Sequence, residues 1–144
     1  YEEVAYYMMP INNDHQQVGS GIIGELPSPI SKEEFLPYLK KRMDLASIRY
    51  TKNFDQPIKK IAVCGGSGSF LLQNSIQAGA DVFITADFKY HEFFDHDNQL
   101  MICDIGHYES EVFTKDLILE LLNKKFTTFA ICLSEVNTNP ISYF

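Results

Sequence analysis

"IKKIAVCGGSGSFLLQNSIQAGADVFITA", residues 58–86, holds two β-branched runs separated by a glycine-rich turn and an amphipathic stretch. "IKKIAVC" (58–64) and "DVFITA" (81–86) have the length and composition of buried strands. Between them, "SFLLQNSIQAG" (69–79) sets Phe70, Leu71 and Ile76 in a helix-like arrangement and stops at Gly79. A strand, a helix and a second strand at this spacing predict a β-α-β unit, whose crossover makes the strands parallel.

The same alternation continues downstream. "FKYHEFFDH" (88–96) reads as a short helix and "QLMICDI" (99–105) as a strand. In "YESEVFTKDLILELLNKK" (108–125), Phe113, Leu117 and Leu121 recur four apart, as do Ile118 and Leu122, which predicts the clearest helix of the chain. Lys124 and Lys125 suit its C-terminal dipole. "TTFAICLS" (127–134) is expected to close the series as a strand. The fold class that follows is α/β, a mostly parallel or mixed sheet with helices on both faces.

Upstream, "SPISKEEFLPYLKKRM" (28–43) opens with a capping box from Ser31 to Glu34 and a hydrophobic staple from Ile30 to Phe35. Pro37 removes one backbone donor inside this helix and is expected to bend it. "ASIRYTK" (46–52) alternates as a strand. Residues 1–27 carry aromatic and glycine-rich segments without helical period, and "LPSP" (26–29) reads as a hinge after them. The chain opens "YEEVAYYMMP", a strand-like run without initiator methionine, as expected of a fragment of a longer protein.

The 144 residues suit one ordinary domain, and 45% apolar with 22% charged residues is ordinary for a globular chain. A formal charge of −7 and a pI near 5.0 argue against binding a nucleic-acid backbone, which needs clustered Lys and Arg. No apolar stretch approaches the roughly 20 residues of a membrane span, and no signal peptide is evident, so the cytoplasm is the expected compartment. Cys64, Cys103 and Cys132 each lie in an apolar run and are expected to be buried thiols. Their odd number without CxxC spacing disfavours a disulfide framework.

"GSGIIG" (19–24) matches GxGxxG, but no strand precedes it and "ELPSP" follows where a helix would have to open. A turn or bulge with positive φ is the expected reading. "GGSGS" (65–69) follows a strand and leads into a helix, so Gly66, Ser67, Gly68 and Ser69 are candidates to cradle an anionic group, a tight β-α turn being the other reading. It lacks the Lys-Ser/Thr of a P-loop. In "ADFKYHEF" (86–93), Asp87, Lys89 and His91 follow a strand end, where parallel sheets bind ligands. His91 suits a proton shuttle or a partly exposed structural histidine. His15 and His96 stand in polar surroundings and are expected at the surface.

"DIGHYESE" (104–111) places His107 and Glu111 four apart, on one face of a helix opening at the same sheet edge. An imidazole with a carboxylate suits zinc, iron, manganese or cobalt, with Asp104 or Glu109 able to orient the ring. The same spacing also fits an exposed first turn.

"KKIAVCGGSGSFL", "GADVFITADFKYHEF", "DIGHYESE" and "TNPISYF", in this order, resemble the C-terminal half of the GTP cyclohydrolase I type 2 family, also described as dinuclear-metal-centre hexameric or NGG-interacting-factor-like proteins. The resemblance covers residues 58–144. Upstream, "MMPINN", "GSGIIGEL" and "SKEEF" resemble the exit from the PII-like domain that many members carry as an insert, implying a remnant of that domain at 1–27 and the α/β metal-binding half at 28–144.

The resemblance implies two divalent metal ions per full-length subunit between two α/β halves, with His107 and Glu111 as the C-terminal ligand pair. The N-terminal half is expected to add a His-His pair and a carboxylate, which this chain lacks, leaving the site incomplete. It further implies a toroidal homohexamer and a metal-dependent hydrolase acting on a nucleotide or another phosphate-bearing small molecule. In that reading His91 moves a proton or fixes substrate. A non-catalytic metal-binding regulatory or scaffold protein is the alternative.

Overall fold

A computed structural model describes residues 19–143. The elements run β1 (Ile22–Ile30), α1 (Lys32–Arg42), β2 (Arg49–Tyr50), β3 (Ile58–Ser67), α2 (Leu72–Gln77), β4 (Val82–Ala86), β5 (Met101–Asp104), α3 (His107–Glu111) and α4 (Thr114–Lys125), with 3-10 turns at Ser69–Leu71 and Tyr90–Phe94. One mixed sheet has the order β1-β3-β4-β5-β2. Its three central strands are parallel, as the 58–86 stretch requires, and both edge strands run antiparallel to their neighbours.

Alternation in the parallel strands feeds two cores. Val82 and Ile84 of β4, with Met101 and Cys103 of β5, meet Phe35 and Leu39 of α1 on one face. Phe83 and Ile102 point the other way, with Ala62 and Cys64 of β3, and pack against Leu72 and Phe88. Phe35, Phe83, Met101 and Ile102 are among the fully buried side chains, each contributing about 1.5–3 kcal/mol of burial. Helices therefore cover both faces. The capping box of α1 forms, with the Glu34 amide on Ser31 Oγ at 3.3 Å and the Ser31 amide on Glu34 Oε2 at 3.2 Å. Ile30 packs against the same core as Phe35, completing the staple, and the helix continues through Pro37.

Several expectations change. Residues 127–134 form no strand; the outer edge of β5, which a strand closing the series would join, is taken by Arg49 and Tyr50 of β2. The expected 108–125 helix is interrupted at Val112 and Phe113, giving α3 and α4. Phe113, Leu117, Ile118 and Leu121 are 43%, 55%, 50% and 55% exposed, so the apolar stripe of α4 faces outward rather than onto the sheet. "LPSP", expected as a hinge, lies within β1, where the pairing with β3 shifts register between Glu25 and Ile30. β1 thus crosses position 27, and residues 1–18, with the rest of the expected inserted-domain segment and His15, lie outside the described residues.

Positive φ is absent from the glycines of "GSGIIG"; Gly24 lies within β1 and Gly21 directly precedes it. A side chain at Gly21 would meet the Val63 carbonyl oxygen at 3.0 Å, so close approach accounts for this glycine better than a turn does. His96 is only 8% exposed, and its Nδ1 accepts the Asn98 amide at 2.9 Å, contrary to the surface position expected from its polar neighbours.

Cys64 and Cys103 are buried, whereas Cys132 is exposed because its segment stays off the sheet. Burial pushes the Cys103 thiol far up, and burial followed by the Glu111 charge raises that of Cys64. Ellman's reagent is expected to react rapidly with Cys132 in the native protein and with Cys64 and Cys103 only after denaturation. Prompt reaction of all of them under native conditions would contradict this packing.

Candidate metal site

The carboxyl ends of the parallel strands bring the motifs together. Gly66 lies near the end of β3, Asp87 follows β4, and His107 opens α3 three residues after β5. Asp87 takes a left-handed backbone, φ 59°, which turns its carboxylate towards the next strand's loop. Its Oδ2 stands 2.5 Å from His107 Nδ1, while His107 Nε2 stands 3.3 Å from Glu111 Oε2 across one helical turn. The imidazole and both carboxylates are about half exposed. Asp87 raises the His107 pKa chiefly through this hydrogen bond, with Glu111 adding a smaller push against partial burial.

Gly66 explains why the glycine-rich turn and the HxxxE motif occur together. Its φ is +64°, and a Cβ there would stand 2.5 Å from Glu111 Oε1 and 3.3 Å from His107 Cε1. The Gly66 amide donates to Ser110 Oγ at 2.8 Å, and that hydroxyl donates to the His107 carbonyl at 2.8 Å. The backbone of β3 is thereby latched to the first turn of α3.

The candidate residues of the turn have internal partners. Ser69 Oγ pairs with Glu92 Oε1 at 3.3 Å, and the Gly68 carbonyl accepts the Leu71 amide at 2.9 Å. Gly68 packs its backbone against Thr85 and Cys64, while Ser67 is exposed at the end of β3. His91 is exposed on the 3-10 turn, edge-on to Tyr90 at 5.3 Å, and is not among the walls of the cavities that His107 lines.

Asp104 and Glu109, both weighed as ring-orienting groups, have other partners. Asp104 is buried, pairs with Arg49, and accepts the Phe88 amide at 3.0 Å and the Gly106 amide at 3.1 Å. Glu109 Oε1 accepts Asn139 Nδ2 at 3.0 Å, which ties "TNPISYF" to α3. The orienting carboxylate is Asp87, whose only signal in the sequence was its place directly after a strand. Arg49 was missed as well, because it lies in a weakly patterned segment.

His107 lies between two cavities. One, about 600 Å³, is walled by Glu111, Val112 and Lys115 and by Val136 and Ile141 of the C-terminal segment. The other, about 250 Å³, is walled by Asp87, Arg49, Asp104 and Tyr143. Among the described residues, no group of three or more His, Cys, Asp or Glu side chains converges as a metal cluster. The fit to a metal is therefore that of a two-ligand edge: an imidazole nitrogen and a carboxylate converge, a second carboxylate holds the other ring nitrogen, and a glycine leaves the space open. No described helix is long and apolar enough to cross a membrane.

Known proteins carry the same arrangement of elements. The GTP cyclohydrolase 1 type 2 homolog of Staphylococcus epidermidis is 40% identical over 99% of this chain and 40% of its own length. The homolog of the same description from Bacillus subtilis is 30% identical over 99% of the chain and 39% of its length. The chain thus spans about two fifths of these relatives. Among solved structures, a Bacillus cereus protein related to NIF3 superposes with a TM-score of 0.77 at 30% identity, covering 100% of this chain and 41% of that one. Staphylococcus aureus protein SA1388 gives 0.75 at 31% identity over 86% of this chain and 42% of its own. The Duf34/NIF3 (NGG1p interacting factor 3) family matches residues 4–140, and with the fold and the relatives in agreement the chain belongs to that family.

Proposed function

We propose that His107 and Glu111 are two protein ligands of a divalent metal centre, zinc, iron, manganese or cobalt, and that the centre serves a hydrolase-like reaction on a nucleotide or other phosphate-bearing small molecule. The observation that carries this reading is the division of labour at His107. Asp87 engages Nδ1 at 2.5 Å, which leaves Nε2 directed towards the Glu111 carboxylate at 3.3 Å. A carboxylate on the far nitrogen fixes the ring and its tautomer, the common support of a metal-ligating histidine. The remaining ligands come from outside residues 19–143. The name borne by the relatives, GTP cyclohydrolase 1 type 2 homolog, supports a nucleotide as the first substrate to try.

Bound divalent ions supply Lewis acidity towards carbonyl or phosphoryl oxygen and lower the pKa of water. The chain's own residues hold and shield that chemistry. Asp87 sets the imidazole, Ser110 latches Gly66 beneath the pair, and Lys115 puts a cation in the wall of the neighbouring cavity. The C-terminal segment closes the other wall of that cavity with Val136 and Ile141.

A second reading, a non-catalytic metal-binding scaffold that assembles as a homo-oligomer, is favoured by the exposed stripe of Phe113, Leu117, Ile118 and Leu121. An apolar face of this kind suits association. Zinc or cobalt titration followed by calorimetry tests the metal. Weak binding is expected from two ligands, and binding is lost in His107→Ala and Glu111→Ala. Unchanged binding in His107→Ala would overturn the ligand assignment. Incubation of metal-loaded protein with GTP, monitored for formate or phosphate, separates the readings: turnover lost in Glu111→Ala supports the hydrolase, and none above that control supports the scaffold.

A further inference from the structure

A cavity of about 600 Å³ is lined by β2 and the 3-10 turn Tyr90–Phe94 and has neither His107 nor Glu111 in its walls. Its walls include Tyr50, Tyr90, Phe93, Phe94, His96 and Arg49. The volume is within the range of small-molecule pockets, about 300–1,000 Å³. Tyr90 and Phe94 line it, are 72% and 65% exposed and are set edge-to-face at 5.5 Å. The Arg49 guanidinium lies 5.4 Å from the Phe93 ring centroid.

His96 gives this cavity a directional polar group. Its Nδ1 accepts the Asn98 amide at 2.9 Å, so the neutral ring carries its proton on Nε2. His96 lines the cavity although the residue is more than nine-tenths buried, and its Nε2 has no hydrogen-bond partner among the described residues. Burial lowers the His96 pKa, keeping the ring neutral. The charges nearby cancel: Arg49 is paired with Asp104, and Lys52 shares the wall with Asp97.

We propose that this cavity binds a planar, uncharged heteroaromatic ring bearing a hydrogen-bond acceptor, a purine being the representative shape. The ring stacks on the face of one of Tyr90 and Phe94 and meets the edge of the other, their planes being 73° apart, and its acceptor takes the Nε2–H of His96. Aromatic faces supply attraction to any flat ring, while the His96 donor selects one with a ring nitrogen or carbonyl. Charge cancellation makes a phosphate substituent unnecessary for binding here. Arg49 is shared with the smaller cavity beside His107, so an occupant would lie next to the metal-site wall without touching the metal ligands.

Adenosine is the probe, with ribose as the control, titrated into the protein while the ring resonances of His96, Tyr90 and Phe94 are followed by NMR. Adenosine is expected to shift all of these rings, and ribose none. Tyr90→Ala and Phe94→Ala, both at exposed positions that leave the core intact, are expected to weaken adenosine by about tenfold. His96→Phe keeps the stacking and loses the donor. Glu111→Ala is expected to bind adenosine as the unaltered protein does, so a failed metal site leaves this result standing. Shifts confined to His107, no shifts at millimolar adenosine, or equal affinity in Tyr90→Ala and the unaltered protein would each overturn the proposal.

Discussion

Gly66→Ala is expected to weaken zinc or cobalt binding by about 10–100-fold while the chain stays folded. Two costs meet at this position. The backbone sits at φ +64°, where an L side chain is strained by roughly 1–2 kcal/mol. The new Cβ would also stand 2.5 Å from Glu111 Oε1, so the carboxylate must leave its position beside His107 Nε2. Gly79→Ala separates the two: Gly79 has φ +70° with nothing within 4 Å of its would-be Cβ, so it carries the strain without the collision. Both variants are expected to lose similar stability in urea denaturation, and only Gly66→Ala to lose metal affinity. Equal affinity in the two would mean that the Glu111 carboxylate does not bind from the position seen here.

The parallel centre of the sheet was legible in residues 58–86 because a β-α-β crossover allows few arrangements. β4 reads as one apolar run because all of Val82–Ala86 is buried. The C-terminal half of the chain misled for a physical reason. "TTFAICLS" has the composition of a strand, but pairing is a property of neighbours, and β2 holds the edge of β5. Composition likewise assigned Cys132 to the interior and His96 to the surface, when segment placement decided both. At the candidate site, the helical spacing of His107 and Glu111 and the strand-end position of Asp87 were visible, whereas the pairing of Asp87 with His107 was not. That contact spans twenty positions and depends on a left-handed backbone after β4.

Asp104→Ala is expected to lower stability by about 3–5 kcal/mol, read as a fall in the urea midpoint without a change in slope. Arg49, the partner in the ion pair, is 59% exposed, so solvent screens much of the charge attraction and the pair alone supplies little of the loss. Most comes from the two amides, Phe88 at 3.0 Å and Gly106 at 3.1 Å, which the buried carboxylate accepts and which lose a charged partner together. Arg49→Ala is therefore expected to cost less, since both amides keep their acceptor. Asp104→Asn should fall between, because one oxygen cannot replace two and its NH₂ faces a donor. The loss extends to the candidate metal site, since Phe88 follows Asp87 and Gly106 precedes His107. Releasing both amides frees the loops that hold the 2.5 Å contact between those side chains, so metal affinity should fall with stability. A loss below about 1 kcal/mol would show that water satisfies the amides, and the two loops would then owe their alignment to the apolar packing of Phe88 and Ile105.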